Sequence, residues 1–297
     1  MNNNIVTGID IGGSHITAAL IDLHAHSIIR DSLIRHHVNS KGDTKQILKE
    51  WTDAITACKA CHAGASNKIG IAMPGPFDYE NGISLIKGLD KFETLYDLNV
   101  KKLLATQLKI ENTDIFMMND ASCFLKGEVF GGAASNCNTA IGITLGTGLG
   151  SATYKNGIVY DGDLYYTPYK DTTAEEYLST RWFIKRYQEL TGTTPKNVKE
   201  ISEQIPFNTA ALKIFAEFGN NLGEVLAAYI KKHRAETVVI GGNIIKAWDL
   251  FINQTRQVLQ HHALEVFVAK AALGEEAALL GAGSLCSMNA ISIKSKS

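Results

Sequence analysis

The 297-residue chain has almost no excess charge of either sign and no long apolar run. Its net charge of −1 argues against a nucleic-acid-binding protein, since such proteins usually carry a basic surface. No apolar stretch reaches the roughly 18 residues that indicate a membrane-spanning helix. The N-terminus also lacks the charged and apolar regions of a signal peptide. These absences predict a globular, cytoplasmic protein without a nucleic-acid or membrane partner.

Cysteine and proline are scarce, at five residues each. An odd number of cysteines in a protein expected inside the cell indicates free thiols. The segment CKACH at 58–62 matches the pattern that attaches haem, but that attachment usually occurs outside the cytosol. The same residues end a run in which Trp51, Ile55 and Cys58 recur at helical spacing. This spacing favours the buried face of a helix over a haem or metal site.

Residues 6–23 (VTGIDIGGSHITAALIDL) lack both common phosphate-loop motifs, the Rossmann G-x-G-x-x-G and the Walker G-x-x-x-x-G-K-[ST]. They hold Asp10 and a Gly-Gly pair between two strand-like runs, which predicts a strand, a glycine turn and a second strand. Glycines at such a turn let backbone N–H groups approach an anion closely. An ordinary β-hairpin turn is the alternative interpretation.

Each half of the chain opens with such a strand, glycine turn and strand. In the first half we predict strands at 4–10, 15–23, 27–37, 68–73 and 114–118 and helices at 43–62 and 99–108. In the second half we predict strands at 138–146, 237–242 and 264–269, a hairpin at 151–160 and helices at 173–190, 208–233, 243–260 and 275–288. The repetition predicts two similar α/β halves whose glycine turns face one cleft. No Pro-rich linker separates the halves, so we expect a compact hinge.

Four further segments have residues suited to chemistry, and each has an ordinary alternative. FMMNDASC (116–123) places Asn119 and Asp120 after a strand, where α/β proteins bind ligands or where a helix is capped. GITLGTGLG (142–150) suits a phosphate or a kinked hairpin. VIGGNI (239–244) suits a Gly-Gly step on which an adenosine lies, and a plain turn is the alternative. AMPGPFD (72–78) suits one wall of a sugar pocket, and again a turn is the alternative.

The order of these segments resembles the actin–hexokinase–Hsp70 superfamily and, in detail, the ROK (repressor, open reading frame, kinase) family of bacterial sugar kinases. The stretches that carry the resemblance span nearly the whole chain: GIDIGGSHITAALID, IAMPGPFD, MNDASCFLKGE, GITLGTGLGSATYKNGIVYDG, VIGGNI and LGEEAALLGAGSL. The resemblance implies an α/β fold of two RNase-H-like (actin-like ATPase) domains flanking a central cleft. We place a small N-terminal domain at residues 1–118 with a C-terminal helix at about 278–297, and a larger domain at 119–277.

The resemblance also implies roles for individual residues, with ATP and Mg²⁺ as cofactors. Asp120 matches the catalytic base, and Asp10 matches the carboxylate near Mg²⁺ and the phosphates. The positions that match sugar ligands are Gly75, Asn119, Asp120, Asp163 and Glu175. The positions that match the nucleotide and phosphate site are Asp10, Gly12, Gly13, Ser14, Thr144, Gly146, Thr147, Gly148, Gly241, Gly242 and Asn243.

One segment departs from the family pattern. ROK members usually carry a Gly-His pair and a C-x-C-G-x-x-G-C-x-E zinc segment, whereas residues 161–179 hold neither cysteine nor histidine. We therefore expect no zinc site. Asp163 would replace the glutamate before Gly-His, and Glu175 or its neighbour Glu176 would match the glutamate that ends the zinc segment. Solvated carboxylates near a helix N-terminus are the alternative.

The predicted function is ATP-dependent phosphorylation of a hexose or hexose derivative, glucokinase-like and at the 6-hydroxyl. The alternatives are a sugar-binding sensor without turnover and a ROK transcriptional repressor. Repressors of this family carry an N-terminal helix-turn-helix, whereas the first strand is predicted near Ile5. The sequence leaves the sugar open among glucose, other hexoses, N-acetylated hexosamines and β-glucosides. A homodimer is expected, because it is common in the family.

Overall fold

The computed structural model of the chain describes residues 4–205 and 207–287. Positions 288–297 of the predicted C-terminal helix lie outside the described residues. The chain divides into two compact units. The first comprises the residues up to Ser135 and those from Glu275 onwards, and the second comprises Asn136–Gly274. Among the residues that the structure describes, no helix is long and apolar enough to cross a lipid bilayer.

The first unit begins with three antiparallel strands and continues with helices and parallel strands. Its elements up to Ser135 are β1 (Ile5–Ile11), β2 (His15–Asp22), β3 (Ser27–His37), α1 (Thr44–Ala60), β4 (Ile69–Met73), β5 (Phe77–Asp78), β6 (Ile83–Ser84), α2 (Val100–Leu108), β7 (Ile115–Asn119) and α3 (Asp120–Gly131). Five of the strands form one sheet in the order β3-β2-β1-β4-β7. Strands β1, β4 and β7 are parallel to one another, and β5 pairs with β6.

Helices α1 and α2 pack on one face of this sheet around a core that contains the fully buried Trp51 and Phe92. Helix α1 begins after Asp43, whose carboxylate accepts the N–H of Gln46 and so caps the helix. Cys58 is buried on α1, which confirms the predicted helix face. The five cysteines are all free in the structure, as predicted.

The second unit repeats the strand order of the first. Its elements are β8 (Thr139–Leu145), β9 (Leu149–Lys155), β10 (Ile158–Asp161), β11 (Pro168–Tyr169), β12 (Thr172–Thr173), α4 (Ala174–Tyr177), α5 (Thr180–Thr191), α6 (Val198–Glu203), α7 (Thr209–His233), β13 (Thr237–Gly241), a 3-10 helix (Asn243–Leu250), α8 (Ile252–His261) and β14 (Phe267–Lys270). The sheet order is β10-β9-β8-β13-β14, with β8, β13 and β14 parallel. The predicted hairpin at 151–160 is present and turns at Asn156 and Gly157, which both have positive φ.

Two helix predictions in the second unit were wrong in detail, and one helix was missed. The helix predicted at 173–190 is divided into α4 and α5, because Ser179 has extended backbone (φ −121°, ψ 168°). The helix predicted at 243–260 is a 3-10 helix followed by α8, with a break at the buried Phe251. The short helix α6 was not predicted.

The chain returns to the first unit through a 3-10 turn (Gly274–Glu276) and α9 (Ala277–Ser284). Helix α9 crosses α3 in close backbone contact, since a Cβ atom on Gly127 would lie 1.9 Å from the carbonyl oxygen of Ala277. Helix α3 is therefore part of the first unit, and the boundary predicted after residue 118 falls inside this unit.

Candidate active site

The first glycine turn joins β1 and β2 in the first unit. The turn consists of Gly12, Gly13 and Ser14, which are all exposed. The N–H of Gly12 donates to the carbonyl oxygen of His15 at 2.9 Å and closes the turn. The strand, glycine turn and strand predicted for this stretch are thus present.

Two carboxylates, Asp10 and Asp120, lie near each other in the same unit. Asp10 is next to the end of β1, and Asp120 is the first residue of α3, directly after β7. Burial, and then the nearby carboxylate of Asp120, raise the pKa of Asp10 to about 7. The positive charge of Arg35 lowers this pKa, and the negative charge of Glu275 raises it further. Asp120 itself is exposed, and its Oδ1 accepts the N–H of Ala121 at 2.9 Å.

Arg35 lies in the same row of the sheet as Asp10. The register pairs Asp10 with Thr17 on β2, and Thr17 with Arg35 on β3. Residues paired directly across strands project from the same face, so Arg35 shares the face of Asp10. The Arg35 guanidinium also lies 3.6 Å from the carboxylate of Glu275, just before α9. Neither residue belongs to a motif of the sequence, and only the sheet register shows where Arg35 is placed.

Asn119 closes β7 and caps α3. Its side-chain oxygen accepts the N–H of Ala121 at 2.9 Å, so the helix-cap interpretation is confirmed. Its amide nitrogen donates to the hydroxyl of Tyr79 at 3.2 Å, and this hydroxyl donates to the carbonyl of Met73 at 2.9 Å. Gly75 is next to the same group, since a Cβ on Gly75 would lie 3.1 Å from Tyr79 Oη. The structure thus brings Gly75 and Asn119 together, through a tyrosine that the sequence analysis missed.

The second glycine turn (146–148) joins β8 and β9 in the second unit. Thr144 precedes it and pairs with Gly241 on β13. Gly242 has a φ of 88°, and a Cβ there would lie 2.3 Å from the carbonyl oxygen of Leu145. The structure therefore brings the second turn and the Gly-Gly step together, as the predicted nucleotide site requires.

Glu175 contacts this second turn. Its Oε2 accepts the N–H of Leu149 at 3.0 Å, and a Cβ on Gly148 would lie 2.8 Å from the same oxygen. Its Oε1 lies 2.9 Å from the guanidinium of Arg181. Glu176 contacts the same guanidinium at 2.9 Å. The structure thus distinguishes the two glutamates, since the contacts found for Glu175 include the backbone next to the turn.

Thr180 and Arg181, at the start of α5, hold the carbonyl groups of the turn. Thr180 donates its N–H at 2.8 Å and its hydroxyl at 2.9 Å to the carbonyl of Gly146. Arg181 donates to the carbonyl of Thr147 at 3.4 Å. The sequence analysis missed both residues. No local signal marks them, because they follow the turn by 34 positions.

Two other predicted site residues have different partners. Asp163 lies 3.4 Å from the ammonium of Lys232 on α7. Burial, and then the charge of Asp163, raise the pKa of Tyr229 on the same helix to about 12. Asn243 begins the 3-10 helix after Gly242 and accepts a hydrogen bond from Lys246 at 2.9 Å.

A polar cavity of about 1050 Å³ lies in the second unit beside α5. Its lining includes Lys170, Glu176, Arg181, Arg186 and Glu217. Side chains of opposite charge pair there, and the guanidinium of Arg186 lies 2.7 Å from the carboxylate of Glu217. The lining therefore favours neither an anion nor a cation.

In residues 4–205 and 207–287, no group of three or more His, Cys, Asp or Glu residues is placed to hold a metal ion. In the segment that departs from the family zinc pattern, the ammonium of Lys170 lies 2.7 Å from Asn221 Oδ1 and 4.8 Å from the ring centre of Tyr177.

Comparison with known proteins decides the family. The ROK family model matches residues 6–164 and 169–289. The chain belongs to the ROK family. One relative is the glucokinase of Thermotoga maritima, which is 23% identical over 94% of this chain and 96% of that protein. Another is the xylose repressor of Bacillus subtilis, which is 23% identical over 94% of this chain and 76% of the repressor.

A ROK family glucokinase from Streptomyces griseus, solved in complex with glucose and AMPPNP, has the same fold. It has a TM-score of 0.74 and 21% identity, over 95% of this chain and 98% of that chain. At this identity the likeness concerns the fold alone. The prediction of an α/β protein with two RNase-H-like, actin-like ATPase domains is confirmed.

Proposed function

We propose that this ROK family member phosphorylates the 6-hydroxyl of a hexose or hexose derivative, with ATP as the phosphoryl donor. The broader class, a carbohydrate kinase, agrees with the glucokinase relative. The finer proposal rests above all on Asp10, on β1, and Asp120, the first residue of α3, whose carboxylates lie close enough for Asp120 to raise the pKa of Asp10 beside the first glycine turn. Phosphoryl transfer needs one group that positions the nucleophile and others that neutralise the charge of the phosphates.

Asp120 is the proposed general base. Its carboxylate is exposed at the start of α3, where an acceptor hydroxyl has access to it. A positioned base of this kind typically contributes about 10²–10⁴-fold to the rate. Asn119 and Gly75, which are adjacent through Tyr79, are the proposed ligands of other sugar hydroxyls.

Asp10 is the proposed magnesium ligand. Mg²⁺ is usually held by one or two carboxylates together with substrate phosphates and waters, so a single carboxylate beside a phosphate-binding turn fits this ion. Burial, and then the nearby carboxylate of Asp120, raise the pKa of Asp10 and make its ionised form unfavourable, and a divalent cation would offset this cost. Bound Mg²⁺ would neutralise charge on the transferring phosphoryl group.

The remaining phosphate and adenosine contacts are assigned to the glycine segments. Ser14 and the two glycines before it would bind phosphate at the first turn, and residues 144–148 would bind phosphate at the second. The segment 241–243 would hold adenosine, because the Gly-Gly step offers a flat surface without side chains. We assign Glu175 to the support of the second turn, since its carboxylate accepts the N–H of Leu149.

The test is a coupled assay of ADP release with Mg-ATP against hexoses, N-acetylhexosamines and β-glucosides. One strongly preferred sugar would support the proposal and name the substrate. Preparation in a chelator followed by restored Mg²⁺ should leave this activity intact, because the proposed site uses no zinc. The homodimer and the cytoplasmic location stay predictions from the sequence.

A sugar-binding protein without turnover is the second candidate function. The xylose repressor among the relatives and the departure of residues 161–179 from the family pattern favour it. Measurable sugar binding without ADP release from any member of the panel would support this function over the kinase.

A further inference from the structure

A short loop before the 3-10 helix Glu93–Leu95 is held firmly in the first unit. Phe92 is fully buried, packs edge-on against Trp51 with 5.4 Å between ring centres, and donates its N–H to the carbonyl of Ser40 at 2.6 Å. This anchor fixes one end of the loop in the core beneath the sheet.

The other side of the loop is held by Glu93. Its Oε1 accepts the N–H groups of Leu89 at 2.7 Å and Asp90 at 3.1 Å. Hydrogen bonds from Gly88 first, and then from Leu89 and Asp90, hold the pKa of Glu93 below its usual range. The carboxylate of Asp90 also lies 2.5 Å from the ammonium of Lys41.

The backbone between these anchors is strained. Asp90 and Phe92 have φ values of 57° and 55°, in the left-handed region that non-glycine residues rarely adopt. Such residues cost on the order of 1 kcal/mol each and persist where the surrounding contacts determine the conformation. The backbone on both sides of Lys91 is therefore held in one conformation by the contacts of the loop.

Lys91 lies beside the first glycine turn. A Cβ on Gly13 would lie 3.8 Å from Cδ of Lys91, so the side chain of the lysine approaches the turn. Among the residues that the structure describes, no carboxylate forms a salt bridge with Lys91. Its side chain thus brings a positive charge to the neighbourhood of the turn, and this charge has no ionic partner among the described residues.

We propose that Lys91 is a further phosphate-binding residue of the first glycine turn, where it contacts the terminal phosphate groups of a nucleoside triphosphate. The inference rests on the proposed kinase function. The carboxylates of Asp120 and Glu275 both act on Asp10 there, and Arg35 is the cation that opposes them. A polyphosphate entering this environment needs further positive charge, and a lysine ammonium supplies it as a point charge.

The test compares Lys91→Met with Lys87→Met in the full chain. Both changes remove a lysine from the same loop, but the ammonium of Lys87 lies over the ring of Tyr96, 5.1 Å from its centre. Titration calorimetry with Mg-AMPPNP should show about tenfold weaker binding for Lys91→Met, the loss expected for one charge-assisted hydrogen bond, and less than about twofold for Lys87→Met. Lys91→Arg should restore most of the affinity. The binding loss should diminish at high ionic strength.

Steady-state kinetics separates this role from a general loss of structure. In Lys91→Met the KM for Mg-ATP should increase while the KM for the sugar and the melting temperature stay near those of the wild type. Equal nucleotide affinity of Lys91→Met and the wild type, or an increase only in the sugar KM, would overturn the proposal. If the wild type phosphorylates no sugar but its nucleotide binding depends on Lys91, the kinase function fails and the phosphate site stands.

Discussion

The two units have the same strand order, and each has a glycine turn between the first and second strands, but the surroundings of the two turns differ. The first turn is exposed and has space next to Gly13. Ionisable groups lie around it, and burial, followed by the charge of Asp120, raises the pKa of Asp10. The proposed phosphate chemistry is therefore assigned to this turn.

The second turn is supported on several sides by protein atoms. Thr180 binds the carbonyl of Gly146, and Glu175 binds the N–H of Leu149. Gly242 packs against the backbone of Leu145 with no room for a side chain. The comparison teaches that the same strand–turn–strand arrangement is surrounded by ionisable side chains in the first unit and by supporting hydrogen bonds in the second.

The largest effect should come from the reactive side of this comparison. Asp120→Asn keeps the acceptor oxygen for the N–H of Ala121 but removes the base. We expect kcat to fall by about 10²–10⁴-fold with an unchanged circular dichroism spectrum. Asp97→Asn is the matched control, because Asp97 is exposed and its φ of 62° suits asparagine. Near-full activity of Asp120→Asn would show that the base is assigned wrongly.

The next effect concerns the pH dependence of the protein's stability, which Asp10 beside the first turn should influence. The pKa of Asp10 is about 7 in the folded protein and 3.8 in an unperturbed chain, so between these pH values only the folded state keeps the proton. The contribution of Asp10 to the free energy of unfolding is therefore fully present below pH 3.8 and is lost as the pH rises through about 7. The loss is at most about 1.4 kcal/mol for each unit by which the two pKa values differ.

Urea unfolding at pH 5 and pH 8 checks this prediction. The wild type should lose more free energy of unfolding across this range than Asp10→Asn, which has no carboxyl group to ionise. Asp97→Asn should behave like the wild type. The prediction fails when Asp10→Asn and the wild type show the same pH dependence.

A smaller effect should separate the glycines of the second unit. Gly242→Ala places a methyl group against the backbone of Leu145 at a φ of 88°, whereas a Cβ on Gly146 would meet nothing within 4 Å. We expect Gly242→Ala to lower the free energy of unfolding by about 1–3 kcal/mol, and Gly146→Ala to change it little. Chemical denaturation of both variants gives the comparison. Equal losses would contradict the close packing at Gly242.

The smallest expected effect distinguishes two roles for Glu175. Glu175→Gln keeps an acceptor for the N–H of Leu149 but loses the charge that pairs with Arg181. We expect the KM for ATP to increase about threefold, the result of losing a partly exposed ion pair. Glu176→Gln, which affects the same arginine, is the control. An increase in the sugar KM instead would assign Glu175 to the sugar, as its sequence position implies.

Features that depend on neighbouring residues could be predicted from the sequence. The alternation around Gly12 and Gly13, and the glycines of 142–150, predict both hairpins, because a strand and its turn are local. Asn119 was recognised as a cap or a ligand for the same reason. The family resemblance then placed these segments in one fold.

Features that depend on sheet register or distant contacts could not be predicted. Glu175 and Leu149 are 26 positions apart, and no local pattern joins them. Arg35 is placed beside Asp10 only by the pairing of three strands. The break at Phe251 reflects burial of its ring against Phe218 and Trp248, which outweighs the helical pattern of the segment.

Transfer of the terminal phosphate of ATP to a sugar is the most direct test of the central claim. ATP labelled in its γ-phosphate would be incubated with the protein, Mg²⁺ and each sugar of the panel, and the products separated. We predict that label appears in one sugar as a 6-phosphate in equal amount to the ADP released, and that Asp120→Asn abolishes it. Binding of sugar and ATP without labelled sugar from any member of the panel would contradict the account.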